Sequence, residues 1–167
     1  MQRRTHLTIL ASLMLTTGLT FAADPIKVGV TGPYTGGSSS MGVSMRDGVR
    51  LATEEINKAG GVLGRKLQLV ERDDEAKNER GVQIAQELIN KEKVVATLGF
   101  INTGVALASQ RFYQEAKIPV FNNVATGSVV TQQFKAPEFP DNYIFRNAAH
   151  DSIQAPMIVE EAIGRRG

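Results

Sequence analysis

The amino-acid sequence predicts an α/β fold in which a parallel β-sheet is flanked by helices. Short runs of β-branched and apolar residues alternate along the chain with longer segments whose apolar residues recur at helical spacing. Such alternation is typical of parallel sheets, because each parallel strand needs a crossover to reach the next. The chain has 167 residues, of which 42% are hydrophobic and 22% are charged, as in an ordinary globular domain.

The first predicted strand and helix lie within residues 26–59. Residues 26–31, IKVGVT, form a β-branched run that ends at a Gly-Pro pair, as a short buried strand does. A loop rich in glycine and serine then extends to Gly42. A helix is predicted over 43–59, because apolar residues recur on one face and a double glycine follows. The residues predicted to face the sheet are Met45, Val49, Ala52 and Ile56.

The next part of the chain is predicted to add a strand, a helix and a second strand. Residues 66–71 alternate polar and apolar side chains, which indicates a strand less buried than the first. A helix is predicted over 78–91. Residues 94–98, VVATL, are predicted to form an apolar strand that ends at Gly99. The helix residues predicted to point inward are Val82, Ala85, Leu88 and Ile89.

The remaining predicted elements follow the same alternation. A helix is expected over 103–116, a strand over 118–121, an extended segment over 143–146 after a proline-containing loop, and a last helix over 151–163. Polar residues stand where two of these helices begin. Thr103 and Asp151 are therefore predicted to be the N-cap residues of the third and the last helix.

The N-terminal residues predict an exported protein. Residues 1–22 combine Arg3 and Arg4 with an apolar run of about a dozen residues and a small-residue ending, which is typical of a cleaved signal peptide. The two arginines account for the whole formal net charge of +2, so the basic charge gives no support for nucleic-acid binding. The chain has no cysteine for a lipid anchor. A freely diffusing periplasmic protein is the expectation.

Two predicted loops at the carboxyl ends of neighbouring strands form the candidate binding site. Residues 99–104 lead directly into a helix, whose free N–H groups and positive dipole end favour a carboxylate. Residues 122–126 offer a carbonyl and the Thr126 hydroxyl to an ammonium group. Together they meet the minimal requirement for an α-amino acid. In the alternative interpretation, Thr103 only caps its helix and 122–126 is an ordinary polar turn.

Enzyme and metal motifs find little support in the sequence. Neither a G-x-G-x-x-G pattern nor a G-K-[ST] phosphate loop is present. The consecutive residues His150, Asp151 and Ser152 cannot align as base, orienter and nucleophile. The acidic run at 73–75 lacks the spacing of a calcium loop, and His150 is the only histidine after the predicted signal. No catalytic residue, metal or cofactor is therefore predicted.

The segments described so far resemble the leucine/isoleucine/valine-binding family of type I periplasmic binding proteins, the receptors of branched-chain amino acid ABC importers. The resemblance covers nearly all of the chain after the signal, and the EEINKAGGVLG junction at 54–64 is its most specific part. The other matching segments are IKVGV at 26–30, GP at 32–33, MG at 41–42, DD at 73–74, TGVALA at 103–108, IPV at 118–120, AT at 125–126 and YIFR at 143–146 followed by Asp151.

This resemblance implies a two-lobed Venus-flytrap clamp that closes over an amino acid or a similar small polar solute and delivers it to a membrane ABC permease. It implies a signal peptide at 1–22, an N-terminal ligand-binding lobe at 23–145, and the start of a second, incomplete lobe at 146–167. A monomer is expected. The implied ligand-binding residues are Met41, Ile101, Asn102, Thr103, Val124, Ala125, Thr126 and Asp151.

One departure from the family bears on the ligand. Some relatives place a tryptophan near Met41 to pack on an aliphatic ligand, and this sequence has only a methionine there. That difference disfavours leucine and leaves the ligand unassigned among amino acids and their aromatic, amide or carboxylic relatives. The rival interpretation is a ligand-sensing receptor or regulator domain with the same fold. The predicted signal and the lack of a DNA-binding segment favour the carrier.

Overall fold

The computed structural model describes residues 24–166, so the predicted signal at 1–22 lies outside the described residues. The strands are β1 (Ile26–Gly32), β2 (Leu67–Asp73), β3 (Ala96–Gly99), β4 (Val120–Asn122) and β5 (Ile144–Arg146). The helices are α1 (Ser39–Lys58), α2 (Asn78–Glu87), α3 (Thr103–Ala116) and α4 (Asp151–Arg166). A π-helical turn at Leu88–Glu92 continues α2, and a 3₁₀ turn at Ser128–Thr131 follows β4.

The strands form one five-stranded sheet in the order β2-β1-β3-β4-β5, and every pairing is parallel. The predicted fold class is confirmed. The extended segment predicted at 143–146 is the outermost strand on the β4 side. Because the chain proceeds outward from β1 in both directions, the strand order reverses between β1 and β3. In open α/β sheets, ligands bind outside the carboxyl ends of the strands at such a reversal.

Helix α1 differs from its prediction in the residue at which it begins and in how much of its predicted inward face is buried. It begins at Ser39 rather than at residue 43, and Met45 and Val49 are half-buried, whereas Ala52 and Ile56 are exposed. The helix packs on β1 and β2. The last turn of α1 is tied to the start of β2, because the Asn57 amide donates to the Leu67 carbonyl at 2.9 Å and accepts from the Leu67 N–H at 2.7 Å. The exposed Ala52 and Ile56 therefore lie on a face of α1 that the sheet does not cover.

The main core lies between the sheet and helices α2 and α3. Tyr113 and Phe100 are fully buried there, and their rings meet edge to face with centroids 6.5 Å apart. Of the four residues predicted to point inward on the second helix, Ala85 belongs to this core, Leu88 is buried in a second cluster, and Val82 and Ile89 are half-buried. The other members of the main core cluster are Val105, Ala106, Val120, Ala125, Val130, Phe134 and Ile144. Phe100 and Ala125 belong to the two loops at the carboxyl edge, so the core holds those loops in place.

Close approach of α2 to α3 depends on Gly81. A Cβ atom at this position would lie 2.5 Å from the Cγ1 atom of Val105. The glycine therefore allows the two helices to pack with little space between their backbones. In the part of the chain that the structure describes, no helix combines the length and apolar character needed to cross a membrane.

Candidate functional site

A cleft of about 560 Å³ opens at the carboxyl edge of the sheet, beside the reversal of strand order. One wall is the N-terminal part of α1, and the other is the loop that follows β4. Methionine and valine side chains make part of the surface apolar, and serine and asparagine side chains give it polar groups. The lining residues are Ser40, Met41, Ser44, Met45, Asn123 and Val124.

The structure places the predicted site residues in four different settings. Met41 and Val124 line the cleft itself. Asn102, Thr103 and Thr126 are half-buried in the two loops beside it, whereas Ile101 and Ala125 are buried in the interior. Asp151 is exposed, and only its backbone N–H reaches the site, where it donates to the carbonyl of Thr126 at 3.0 Å.

The expectation that Thr103 caps α3 is wrong. The N-cap position is occupied by Asn102, and no side chain makes a capping hydrogen bond. The Thr103 hydroxyl oxygen instead accepts a hydrogen bond from the backbone N–H of Gly127 at 3.2 Å. A hydroxyl that accepts from an amide retains its own proton for donation. Thr103 therefore ties the two loops together and keeps a donor beside the start of α3. Asp151 is likewise the first residue of α4 and does not precede it.

Backbone hydrogen bonds fix the loop after β4 against the loop before α3. The N–H of Asn123 donates to the carbonyl of Gly99 at 2.6 Å, and the N–H of Ala125 donates to the carbonyl of Phe100 at 2.9 Å. Among the described residues, the buried side-chain oxygens of Asn102 and Asn123 have no hydrogen-bond partner. These buried acceptors lie in the two loops that adjoin the cleft, and they lack the hydrogen-bond partner that a buried polar atom usually has.

Sequence reasoning predicted Met41 at the cleft but missed its helical neighbours Ser40, Ser44 and Met45. Ser40, Met41, Ser44 and Met45 stand at spacings of one and four residues, so they share one face of the helix. The prediction began this helix at residue 43 and assigned 32–42 to a loop. Serines at 38–40 were a usable signal, because serine is frequent where helices begin. The amide of Asn123 had no signal in the sequence beyond its place in the predicted loop.

Two adjacent aspartates stand at the end of β2, and the first of them holds the segment that leads from β1 to α1. Asp73 accepts hydrogen bonds from the backbone N–H groups of Tyr34 at 2.8 Å and Glu75 at 2.9 Å, and from the Thr35 hydroxyl at 2.7 Å. Burial raises the pKa of Asp73, but these hydrogen bonds outweigh it and the net pKa is lowered. Asp74 is 1% exposed, and burial raises its pKa above the ordinary value for a carboxyl.

We expect Asp73 and Asp74 to make opposite contributions to the pH dependence of folding stability. A raised folded-state pKa means that the stability contribution of Asp74 is present below the unfolded pKa of about 3.9 and is lost as pH rises through the folded value. Asp74→Asn removes the buried charge and can still accept from the N–H of Ala76. We expect the variant to match or exceed the parent in thermal stability at pH 7, and this difference to shrink toward pH 3.

Asp73→Asn is the matched control for this titration. The lowered pKa of Asp73 gives stability that is present above the unfolded pKa and is lost as pH falls through the folded value. This variant should be less stable than the parent at pH 7, and the difference should vanish in acid. Melting temperatures of all three proteins between pH 3 and 8 provide the measurement. An Asp74→Asn variant that is destabilised most at pH 7 would contradict the assignment.

No cluster of three or more His, Cys, Asp or Glu side chains with the geometry of a metal site occurs within residues 24–166. The carboxylate oxygens of Asp73 are instead occupied by the donors described above. Asp73 therefore fixes the start of the segment between β1 and α1, whereas the Asp74 carboxylate bonds to Thr31 of β1 and to the backbone N–H of Ala76.

Comparison with known proteins assigns the chain to one group. A family model described as periplasmic binding protein matches residues 25–167. An amino acid binding protein of Pseudomonas aeruginosa is 32% identical over 114 residues, which is 68% of this chain and 30% of that protein.

Two solved structures share the fold. The branched-chain amino acid transporter substrate binding protein LivJ from Streptococcus pneumoniae, in complex with isoleucine, has a TM-score of 0.77 at 25% identity, covering 84% of this chain and 38% of its own. A solute binding protein of an ABC transporter from Rhodopseudomonas palustris, in complex with 3,4-dihydroxybenzoic acid, has a TM-score of 0.71 at 31% identity, with coverages of 86% and 37%. The chain thus spans about a third of the length of these relatives.

Proposed function

Because this chain belongs to the periplasmic binding protein family, whose members are binding proteins, we propose that it forms the first ligand-binding unit of an ABC-importer receptor for an amino acid or a similar small polar solute. The observation that carries the proposal is the placement of a helix N-terminus and of unpartnered amide oxygens in two adjoining loops beside one cleft. The start of α3 supplies donors, and the loop after β4 supplies acceptors within the same site.

A carboxylate is the ligand group that suits the start of α3. The first N–H groups of a helix have no partner inside the helix, and its dipole adds a partial positive charge there. The retained hydroxyl proton of Thr103 adds a second kind of hydrogen-bond donor at the same place. We propose that these groups hold a carboxylate without an arginine, as helix N-termini hold anions in many proteins.

The opposite side of the site is suited to an ammonium or another hydrogen-bond donor. We propose that the Thr126 hydroxyl and the carbonyl of Val124 accept from it, together with the free amide oxygen of Asn123. The side chain of the solute would then lie against Met41, Met45 and Val124. Ile101 and Ala125 support this surface from the interior.

The ligands bound in the two related structures indicate which chemical group of a solute the site recognises first. Isoleucine and 3,4-dihydroxybenzoic acid differ in every part except the carboxylate that both carry. A site that holds a carboxylate on the α3 N-terminus and leaves the rest of the cleft adaptable accommodates either class. Methionine suits such adaptability, because its unbranched thioether chain repacks around differently shaped ligands. We therefore place the carboxylate first among the groups that the site recognises.

We further propose export to the periplasm with removal of residues 1–22, a first lobe at 23–145 and the start of a second lobe at 146–167. The support is the basic and apolar pattern of the first residues and the family match that begins at residue 25. In this proposal the protein binds as a monomer, hands its solute to a membrane permease, uses no cofactor or nucleic acid and catalyses no reaction.

A ligand panel on the complete natural reading frame that contains this chain tests the proposal. The protein is recovered from a periplasmic extract, and melting temperatures are measured with L-isoleucine, L-threonine and 3,4-dihydroxybenzoate. Isoleucinol, which lacks the carboxylate, is the matched control. Ligand at 100 times its Kd adds about 2.7 kcal/mol of stability, enough for a shift of several degrees. If isoleucinol stabilises the protein as well as isoleucine does, or if no carboxylate-bearing solute does, the proposal is refuted.

A further inference from the structure

Arg146 is the last residue of β5, and its half-buried side chain reaches the loop that borders the cleft. The Nη2 atom donates to the carbonyl of Gly127 at 2.6 Å, and the Nη1 atom donates to the carbonyl of Thr126 at 3.3 Å. One planar guanidinium therefore holds two successive carbonyl groups. A lysine could not do the same, because its single ammonium lacks the fork geometry.

The charge of Arg146 has no acidic partner among residues 24–166. None of the ion pairs formed in this part of the chain includes it. Its Nε atom is also buried without a hydrogen-bond acceptor. Burying a cation without a counter-charge costs free energy, so an apolar side chain would fill the same space at lower cost. The two hydrogen bonds from the guanidinium to the carbonyls of Thr126 and Gly127 offset this cost.

The peptide held by Arg146 is the junction of three segments. The Thr126 carbonyl also accepts from the N–H of Asp151, where α4 begins. On the other side, the N–H of Gly127 donates to the hydroxyl of Thr103, where α3 begins. The orientation of this one peptide thus determines which way the Thr103 hydroxyl faces and where residues 124–126 stand relative to α3.

We propose that Arg146 is the positioning residue of the solute site. It does not touch the solute. It sets the peptide between Thr126 and Gly127 so that the donors at the α3 N-terminus and the acceptors of 124–126 face the same solute. Because the Thr126 carbonyl also receives the α4 N-terminus, the same residue sets the direction in which the chain leaves the sheet. The inference rests on the proposed function for its ligand and on the described contacts for its geometry.

Two substitutions in the complete natural reading frame test it. Arg146→Lys keeps the charge and loses the fork, and Arg146→Met keeps the apolar stem and loses both. The affinities for L-isoleucine and 3,4-dihydroxybenzoate are measured by calorimetry. We expect both variants to bind whichever of these probes the parent binds at least tenfold more weakly.

Arg72→Met is the matched control. Arg72 is also half-buried and also bridges distant segments, through Glu87 and Glu92, but it makes no contact with the loop after β4. This variant should lower the melting temperature and leave probe affinity within twofold. Arg146→Lys or Arg146→Met binding within twofold of the parent would overturn the proposal. If Arg146→Met does not fold, the probe affinity of Arg146→Lys alone tests the proposal.

Hydrogen exchange of the ligand-free protein separates this inference from the proposed function. Exchange of the Gly127 and Asp151 amides should accelerate in Arg146→Met and stay unchanged in Arg72→Met, because only the first variant frees the held peptide. If the parent protein binds no probe, the proposed function is refuted. The exchange rates of the Gly127 and Asp151 amides then test the positioning role of Arg146 on their own. Unchanged exchange at both amides in Arg146→Met overturns that role whether or not a probe binds.

Discussion

Gly42→Ala is expected to destabilise the protein and remove solute binding, whereas Gly48→Ala in the same helix should make the protein more stable. A Cβ atom at Gly42 would overlap the backbone carbonyl oxygen of Pro33, and backbone cannot rotate away as a side chain can. Helix α1 would have to shift, and it carries Ser40, Met41 and Ser44 of the cleft wall. Overpacking of this kind costs about 1–3 kcal/mol, and more where backbone is the obstacle.

Gly48 is the matched control because a Cβ there meets nothing within 4 Å. Alanine favours helix over glycine by about 1 kcal/mol in an exposed helix interior. Urea unfolding of both variants, with calorimetry against L-isoleucine, measures the contrast. Equal stabilities for the two variants would show that α1 does not approach Pro33 as closely as the structure places it.

The elements of this fold were largely predictable because their signals are local. Helix α3 begins and ends at the predicted residues 103 and 116. Its apolar periodicity, together with the flanking glycine and proline, needs no knowledge of the rest of the chain. Strand boundaries were less accurate, as for β3, which was predicted at 94–98 and runs over Ala96–Gly99. A strand ends where its neighbour stops pairing with it, and this position depends on the tertiary structure.

The cleft was predictable only in part, because tertiary approach decides its composition. The loops at the carboxyl ends of the strands and the free helix N-terminus followed from the alternation of strands and helices, whereas the reversal of strand order was seen only in the structure. The α1 wall did not, since it depends on a glycine that lets Pro33 and α1 meet. Thr103 was assigned to the cap by a local rule, but the N–H of Gly127, 24 residues away, takes its hydroxyl instead. A local preference for helix capping is overridden where a donor distant in sequence lies within hydrogen-bonding distance of the side chain.

The two threonines beside the cleft separate solute binding from loop structure. Thr126→Val keeps the shape of the side chain and removes the hydroxyl proposed to accept from the ammonium of an amino acid. A hydrogen bond to a charged group contributes about 1.5–3 kcal/mol. We expect roughly a ten- to hundredfold increase in Kd, since about 1.4 kcal/mol is tenfold. Because only the Thr126 carbonyl is bonded within the described structure, through Asp151 and Arg146, the melting temperature without solute should change little.

Thr103→Val should weaken binding and also lower the melting temperature, because it leaves the N–H of Gly127 without its acceptor. An unpaired donor costs about 1–3 kcal/mol when it is fully buried, so the half-buried Gly127 N–H should cost less than the upper figure. The same change removes the proposed carboxylate donor. Thr103→Ser and Thr126→Ser retain the hydroxyls and are the controls, each expected to bind close to the parent. Calorimetry with L-isoleucine gives the affinities, and melting curves without solute give the structural cost. If Thr126→Val binds isoleucine as tightly as the parent does, the Thr126 hydroxyl is not an acceptor for the ammonium, and the amide oxygens of Asn102 and Asn123 become the acceptors to test.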